Sequence, residues 1–541
     1  MKWLFSLFLI FVFLTGCSED KITTSKVSVD EVSFSKYGDA VVEGSIGDAS
    51  NLIPILATDS SSHAVAGLIY NGLLKYNENL VLVGDLASKW EVSENNKEIT
   101  FYLRDKVFWQ DGIPFTAEDV KFTYELIVDN RTPTAYDSDF RIVEKVDVLD
   151  NLTVKVFYKE AYAPALASWT TSILPSHLLK NVEVIKSPLQ RKPVGTGPFK
   201  FYEWKPGSQI TLVANDNYFE KRPYLDRYSF KIIPDTATMF LELLNGALDM
   251  MTLSPLQFSK QTENPRFKER FNKYKYLSNS YTYVGYNLKN PLFQDKRVRQ
   301  ALSYATPKQD IIDGVLFGLG VEATGPYKPG TPWHNPSVKK YPYDIQKAKE
   351  LLQEAGYKIN KNGVLEKDGK EFSFTIITNQ GNSSRSTVAE ILQQSWGRLG
   401  VKVNIRILEW ATFINEYIDK RNFDAVILGW TIPLEPDLYD VWHSSNCEGK
   451  KLNFVCFKNE KFDEIIEKAR REFDFKKRRD LYFKAQEILA EEQPYTFLYV
   501  GEALIALDKR FENIKPMPAG ISYNLIDWYV PENKRKYLFS R

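Results

Sequence analysis

Three points in one stretch of this chain carry side chains that could hold a solute rather than transform one. Asn379 and Arg385 flank a run of small polar residues, Trp410 follows Glu409, and Trp430 follows Gly429, with Thr431 after it. An arginine in the first turn of a helix adds a guanidinium fork to free backbone N–H groups, which together suit a carboxylate or another anion. Tryptophan offers an apolar wall beside such a fork. Catalytic sets are harder to find. The histidines, His63, His177, His334 and His443, are widely spread, with no HExxH pair and no Gly-x-Ser-x-Gly elbow. A hydrolase would have to assemble its dyad in three dimensions, so binding is the primary reading.

The elements that must position these groups are legible around them. Residues 372–430 read as a βαβαβ unit. Phe372, Phe374 and Ile376 alternate with Ser373, Thr375 and Ile377, as a strand requires. Ser383, Ser384 and Ser386 are candidate helix caps, and Val388, Ile391, Leu392 and Leu399 then recur at helical spacing until Gly400. Val401, Val403, Ile405 and Ile407 predict a second strand, residues 412–420 a helix, and residues 424–428 a third strand. Right-handed crossovers make the three strands parallel. Solutes in such sheets sit outside the carboxyl ends of the strands, where the three polar and aromatic points fall. An α/β domain with incidental aromatics near its loops is the alternative.

The chain begins with Lys2 and the apolar residues 3–14, shorter than the roughly 20 residues of a membrane span, and reads as a signal peptide over residues 1–16. Leu14-Thr15-Gly16-Cys17 resembles a bacterial lipobox, which would leave Cys17 lipidated; an ordinary signal peptide with a chance cysteine is the other reading. Ser18 after the cysteine favours an outer over an inner membrane in a host with two. Residues 17–36 lack periodicity and read as a tether; about 20 residues of coil reach roughly 25 Å. The expected location is the cell envelope, facing periplasm or exterior. Lysines and arginines, 70, nearly balance aspartates and glutamates, 69, so nothing invites nucleic acid. Cys447 and Cys456 most simply form a disulfide in an exported chain, with a metal site near His443 as the alternative. No cofactor and no metal is expected.

The most specific pattern lies at residues 85–123. Leu86-Ala87-Ser88-Lys89-Trp90 leads to a strand from Ile99 to Arg104; Val107-Phe108-Trp109, Gln110-Asp111-Gly112 and Ile113-Pro114-Phe115 make a hairpin; Thr116 and Asp119 form a capping box ahead of a helix. This succession resembles the signature of the bacterial extracellular solute-binding proteins of family 5, the oligopeptide- and dipeptide-binding proteins of ABC importers. Val194-Gly195-Thr196-Gly197-Pro198-Phe199, Tyr286-Asn287, Arg297-Val298-Arg299-Gln300-Ala301-Leu302, the helix between Asp344 and Gly356, and Trp442-His443-Ser444-Ser445 are similar to further family segments.

The resemblance implies an α/β periplasmic-binding-protein-like fold (type II, cluster C), two lobes joined by a hinge with an extra inserted domain. Domain I would comprise residues 37–70, 191–277 and 508–541, domain II the insertion 71–190, and domain III residues 278–507, with hinge segments near 277–285 and 503–510. It implies an extended ligand paired as a strand between Ser60, Ser61 and Ser62 on one side and Gly429, Trp430 and Thr431 on the other, with Gly429 admitting the ligand backbone, Trp410 a pocket wall, Tyr283 lining the same cavity, and Arg385 at the ligand carboxylate; Asn379, at the strand end, is a further candidate ligand contact. One position departs. Peptide binders carry an aspartate for the ligand amine where this chain has Pro433, leaving Glu435 and Asp437 as the nearest acids. The implied partners are short peptides and ABC permease subunits, the protein acting as a monomer; a cello-oligosaccharide or metal complex in the same fold, or a signalling receptor role, stays open.

Overall fold

The computed structural model describes residues 35–539. The expected signal peptide, Cys17 and nearly all of the expected tether lie outside the described residues. From the amino-terminal side the elements that matter are β1 (Ala40–Ser45), α1 (Ser60–Ile69), β2 (Ala87–Val92), β3 (Glu98–Leu103), α2 (Ala117–Val128), β4 (Val143–Asp150), β5 (Thr153–Tyr158), β6 (Phe199–Lys205), β7 (Gln209–Ala214), β8 (Arg227–Ile232), β9 (Met250–Thr252), β10 (Phe271–Leu277) and β11 (Ser280–Tyr286). Then follow β12 (Ser373–Asn379), α3 (Ser383–Gly397), β13 (Lys402–Leu408), β14 (Ala425–Thr431), α4 (Glu460–Arg471), α5 (Phe475–Glu492) and β15 (Tyr495–Asp508).

The main sheet runs β13-β12-β14-β11-β15-β9-β1-β8-β7-β6. β13, β12 and β14 are mutually parallel, as the βαβαβ pattern predicts. Successive residues of β12 face opposite cores: Ile376 packs with Leu392 and Trp396, Ile377 with Phe413 and Trp442. In the other half β1 is parallel to β8 and β9. β15 belongs to both halves. Its residues from Tyr495 to Tyr499 pair with β11, and those from Glu502 to Asp508 with β10. A second crossing is the short link between Leu277 and Ser280, where Lys328 Nζ donates to the Leu277 carbonyl at 2.6 Å and to Asn279 Oδ1 at 3.2 Å.

Residues inserted between α1 and β6 form their own antiparallel sheet, β2-β3-β5-β4. Buried residues alternate along β3 and β5, and the inward faces join the core of β1 and α1. The expected Thr116–Asp119 capping box starts α2. The hairpin turn before it closes with Gly112 at φ +91°. Gln110 of that turn is tied to the Gly195-Thr196-Gly197 segment: its Nε2 donates to the Phe199 carbonyl at 2.8 Å, and its Oε1 accepts from Gly195 N–H at 3.1 Å. Two motifs that are separate in sequence are therefore one joint.

Local starts and stops differ in detail from the pattern. Asn382, not a serine, caps α3 by accepting from Arg385 N–H. The helix predicted over 412–420 starts at Trp410, capped by Glu409, and widens into a π-helical turn over Phe413–Ile418. Asp344 caps its helix as expected. Cys447 and Cys456 are disulfide-bonded, which takes up the thiols that the metal alternative needed.

Gly195 passes so close to α1 that an added Cβ would stand 1.9 Å from the Ile69 carbonyl oxygen. Backbone on both sides has to move to admit it, and overpacking of this kind typically costs about 1–3 kcal/mol. Gly195→Ala is expected to lower the melting temperature in scanning calorimetry. An unchanged transition would show that the joint between Ile69, Gln110 and Gly195 yields freely.

Candidate functional site

Arg385 lies in the first turn of α3, and its side chain returns over the carboxyl end of the sheet. Nη1 donates to Asn379 Oδ1 at 2.8 Å, and Asn379 is fully buried, with its Nδ2 on the Gln380 carbonyl. Asn379 therefore positions the arginine rather than facing solvent, a correction to its expected place beside the ligand. Nε of Arg385 is buried without a hydrogen bond, and among the described residues no carboxylate pairs with the guanidinium. Burial pushes its pKa down from the ordinary arginine value. A desolvated cation with a single neutral acceptor is under-compensated.

Gly429 makes room for that guanidinium: a Cβ there would meet Nη2 at 2.7 Å. The glycine was expected to admit a ligand backbone; what it admits here is Arg385. The backbone of this strand end is nevertheless open along one side. β12 and β14 pair at Ile376↔Ala425 and Ile377↔Val426, then part, with Thr378 Oγ1 bonded to the Ile427 carbonyl at 3.0 Å. β14 continues to Thr431 with β11 beside it. Gly429, Trp430 and Thr431 thus keep an edge that no described strand covers. Trp430 is half-buried, stacked on Phe454 at 5.5 Å, and donates to the Tyr495 hydroxyl at 3.1 Å.

Other expected contacts fall differently. Ser60, Ser61 and Ser62 do not form an extended edge, because they are the first turn of α1, capped by Asp59. Ser62 is fully buried and bonded to Asp59. Ser60 and Ser61 instead line a cavity of about 430 Å³, whose opposite wall is the segment from Gly381 to Ser384 in the other half. Tyr283 is not among the walls of that cavity. It is fully buried and stacked on Tyr495 at 3.9 Å, since β11 is covered on both faces. Trp410 bridges the halves: its ring packs on Gly47, where a Cβ would stand 2.7 Å away, and Nε1 donates to Asp59 Oδ1 at 3.4 Å. Arg385, Gly429 and Trp430 are not among the walls of the cavity.

The halves also meet through the inserted sheet. Arg470 on α4 pairs with Asp139, reaches the Tyr162 hydroxyl at 2.6 Å and lies 2.9 Å from Asp437; its carbonyl accepts from Ala163 N–H at 2.8 Å. Lys451 pairs with Asp137, Arg471 with Glu160 at 2.8 Å, and the Ser138 hydroxyl donates to Asp440. Lys450 Nζ donates to the Leu56 carbonyl at 3.1 Å. Glu435 pairs with Arg478. Both acids near Pro433 are therefore already engaged by arginines.

Residues 81–451 match the family model described as bacterial extracellular solute-binding proteins, family 5 Middle. The chain belongs to the family 5 solute-binding proteins. It is 35% identical to the oligopeptide-binding protein AppA of Bacillus subtilis over 540 residues, covering 97% of each. The structure of that protein in complex with a nonapeptide superposes with a TM-score of 0.87 at 34% identity, covering 92% of this chain and 99% of that one. NikZ of Campylobacter jejuni in complex with Ni(L-His) gives 0.84 at 28% identity over 91% of this chain and 99% of that one. The α/β periplasmic-binding-protein-like fold with two lobes is thus that of the family.

Sequence reasoning missed several residues of this family 5 cleft. Arg470 had a signal: Phe462, Ile466 and Ala469 set the apolar stripe of α4, and position 470 falls on the same face. Glu43 and Asp59 had weaker ones, a charge amid strand residues and an aspartate before three serines.

Were the two lobes to part, the contact between Ser138 and Asp440 would make that opening sensitive to pH. Burial, reinforced by Asp139 and Asp437, pushes the Asp440 carboxyl up to about 7, while the Ser138 hydroxyl and Arg470 oppose the shift. Parting the lobes would solvate the group and return it towards the usual carboxylate range near 4. The closed state therefore binds the extra proton and is favoured as pH falls through about 7. X-ray scattering should give a smaller radius of gyration at about pH 6 than at about pH 8, and Asp440→Asn should reduce the difference. Equal radii in the parent at both values would remove Asp440 from any role in closure.

Proposed function

We propose that this family 5 protein captures short peptides in extended form between its lobes and delivers them to the permease of an ABC importer. The observation that carries this reading is Arg385, a half-buried arginine that has no acidic partner among the described residues, beside the uncovered edge of Gly429, Trp430 and Thr431. A terminal carboxylate on the arginine and a peptide backbone along that edge would complete both. The protein from Bacillus subtilis, bound to a nonapeptide, supports the same substrate class. A non-peptide solute is the second reading, favoured by Pro433 and by the engagement of Glu435 and Asp437 with arginines, which leaves no free acid there for a peptide amine. NikZ, with its nickel–histidine complex, belongs to the same group of folds.

In this reading the first lobe comprises residues 37–70, 191–277 and 508–541, the second residues 278–507, and residues 71–190 an insertion on the first. The link after β10 and the middle of β15 act as the hinge, and the contacts of Trp410, Lys450 and Arg470 belong to the closed state. The protein acts as a monomer held to the membrane through a lipid on Cys17, outside the cytoplasm. Cys17→Ser should move it from the membrane to the soluble fraction; unchanged membrane association would rule that anchor out.

Losing one partner of a desolvated charge pair typically costs about 2–5 kcal/mol. Arg385→Ala should weaken a free-carboxyl peptide by at least about tenfold in calorimetric titration, and Arg385→Lys should recover part of that, since an ammonium lacks the planar fork. The carboxamide form of the peptide should bind weakly and be indifferent to the substitution. Equal binding of both forms by the parent would make Arg385 a structural residue. Binding of a neutral oligosaccharide with no peptide bound would favour the second reading.

A further inference from the structure

Glu43 is a half-buried acid for which the described residues supply no counterion. It sits on β1 opposite Phe230 of β8, so its side chain shares a face with Phe230 and Tyr228. The Tyr228 hydroxyl donates to Oε2 at 2.6 Å, and among the described residues no cation pairs with the carboxyl group. Burial raises its pKa to about 7, against a smaller opposing effect from Tyr228. An unpaired carboxylate is expensive to bury, and interior acids ordinarily acquire a partner or give way to an apolar residue.

The surroundings indicate where a partner would come from. Glu43 lines the same cavity of about 430 Å³ that Ser60 and Ser61 face. Val65, Phe230, Ile232 and Met239 give it apolar walls, and the only described contribution of the second lobe is the segment from Gly381 to Ser384, immediately before Arg385. The cavity thus lies between the lobes, next in sequence to the group assigned to the peptide carboxylate. Apolar walls with an acid among them match a long aliphatic stem carrying a cation. Lysine and arginine bury such stems readily.

We propose that this cavity is a side-chain subsite for a basic residue of the bound peptide, with Glu43 as the group that receives its cationic head and Tyr228 holding the carboxylate in place. The inference rests on the peptide reading above and adds a preference to it. Glu43 is then a specificity-determining residue.

The test is calorimetric titration of the purified protein with alanine-based, free-carboxyl peptides in which one lysine, or one norleucine of matching stem, is walked along the sequence. At one position lysine should bind at least about tenfold tighter than norleucine, the usual scale for a desolvated charge pair. Glu43→Gln should erase that preference, bringing the lysine and norleucine peptides to equal affinity. Acetyl-lysine at the same position, in the parent protein, should fall to the norleucine level and so makes the comparison without a substitution. Absence of a lysine preference at every position, or its persistence in Glu43→Gln, overturns the subsite while leaving the peptide reading intact. Failure of all these peptides to bind overturns the peptide reading and the subsite with it.

Discussion

The architecture depends on one strand being shared. β15 hydrogen-bonds to β11 through its first residues and to β10 and β9 through its last. Backbone hydrogen bonds on both sides keep its two ends in register with their own sheets. The middle, about Val500 and Gly501, carries lighter pairing, with Ser278 N–H on the Gly501 carbonyl at 3.0 Å and the short strand Gly320–Glu322 alongside. Each lobe can then be internally rigid while the join between them remains slender. Everything that meets across the cleft, from Trp410 on Gly47 to Arg470 on Asp139, is set by how that join lets the lobes approach.

The cleft electrostatics follow from the same division. Arg385 in one lobe and Glu43 in the other are both half-buried, and among the described residues neither finds an opposite charge. Other charges are settled in place: Arg510 pairs with Asp39 and Asp249 and Arg478 with Glu435, while the buried Asp59 and Asp119 are each held by several hydroxyl, indole or backbone donors. A solute carrying an anion and a cation at the right separation would neutralise both Arg385 and Glu43, and the gain would exist only with the lobes together, which is the condition for a ligand to shift a conformational equilibrium.

What the sequence revealed and what it hid follow physical lines. The βαβαβ unit and the caps at Thr116 and Asp344 were legible because period-two and helical spacing are local, and because a cap needs only a side chain and an amide three residues on. Asp59 could have been read the same way, yet family correspondence placed Ser60 to Ser62 in an extended edge. Tyr283 was misplaced because β11 is buried on both faces, so alternation carries no information about which face meets a cavity. The pairing of Arg470 with Asp139 joins positions over three hundred residues apart, and no local pattern encodes that. The place of Arg385 at a helix start was legible from local spacing, but its dependence on Asn379 and on the empty space at Gly429 required coordinates.

The sharing of β15 also bears on how such a chain is made. The sheet of the first half is complete only when β9 has β15 beside it, and the buried Asp39 waits for Arg510 to neutralise it. Its amino-terminal strand therefore cannot reach a finished environment until almost the whole polypeptide is available. Contacts this distant in sequence form slowly, because the intervening loop must close first. For a member of an extracellular family, late completion would be an advantage in biogenesis: a chain still unfolded could cross a membrane before its first strand locks against its last.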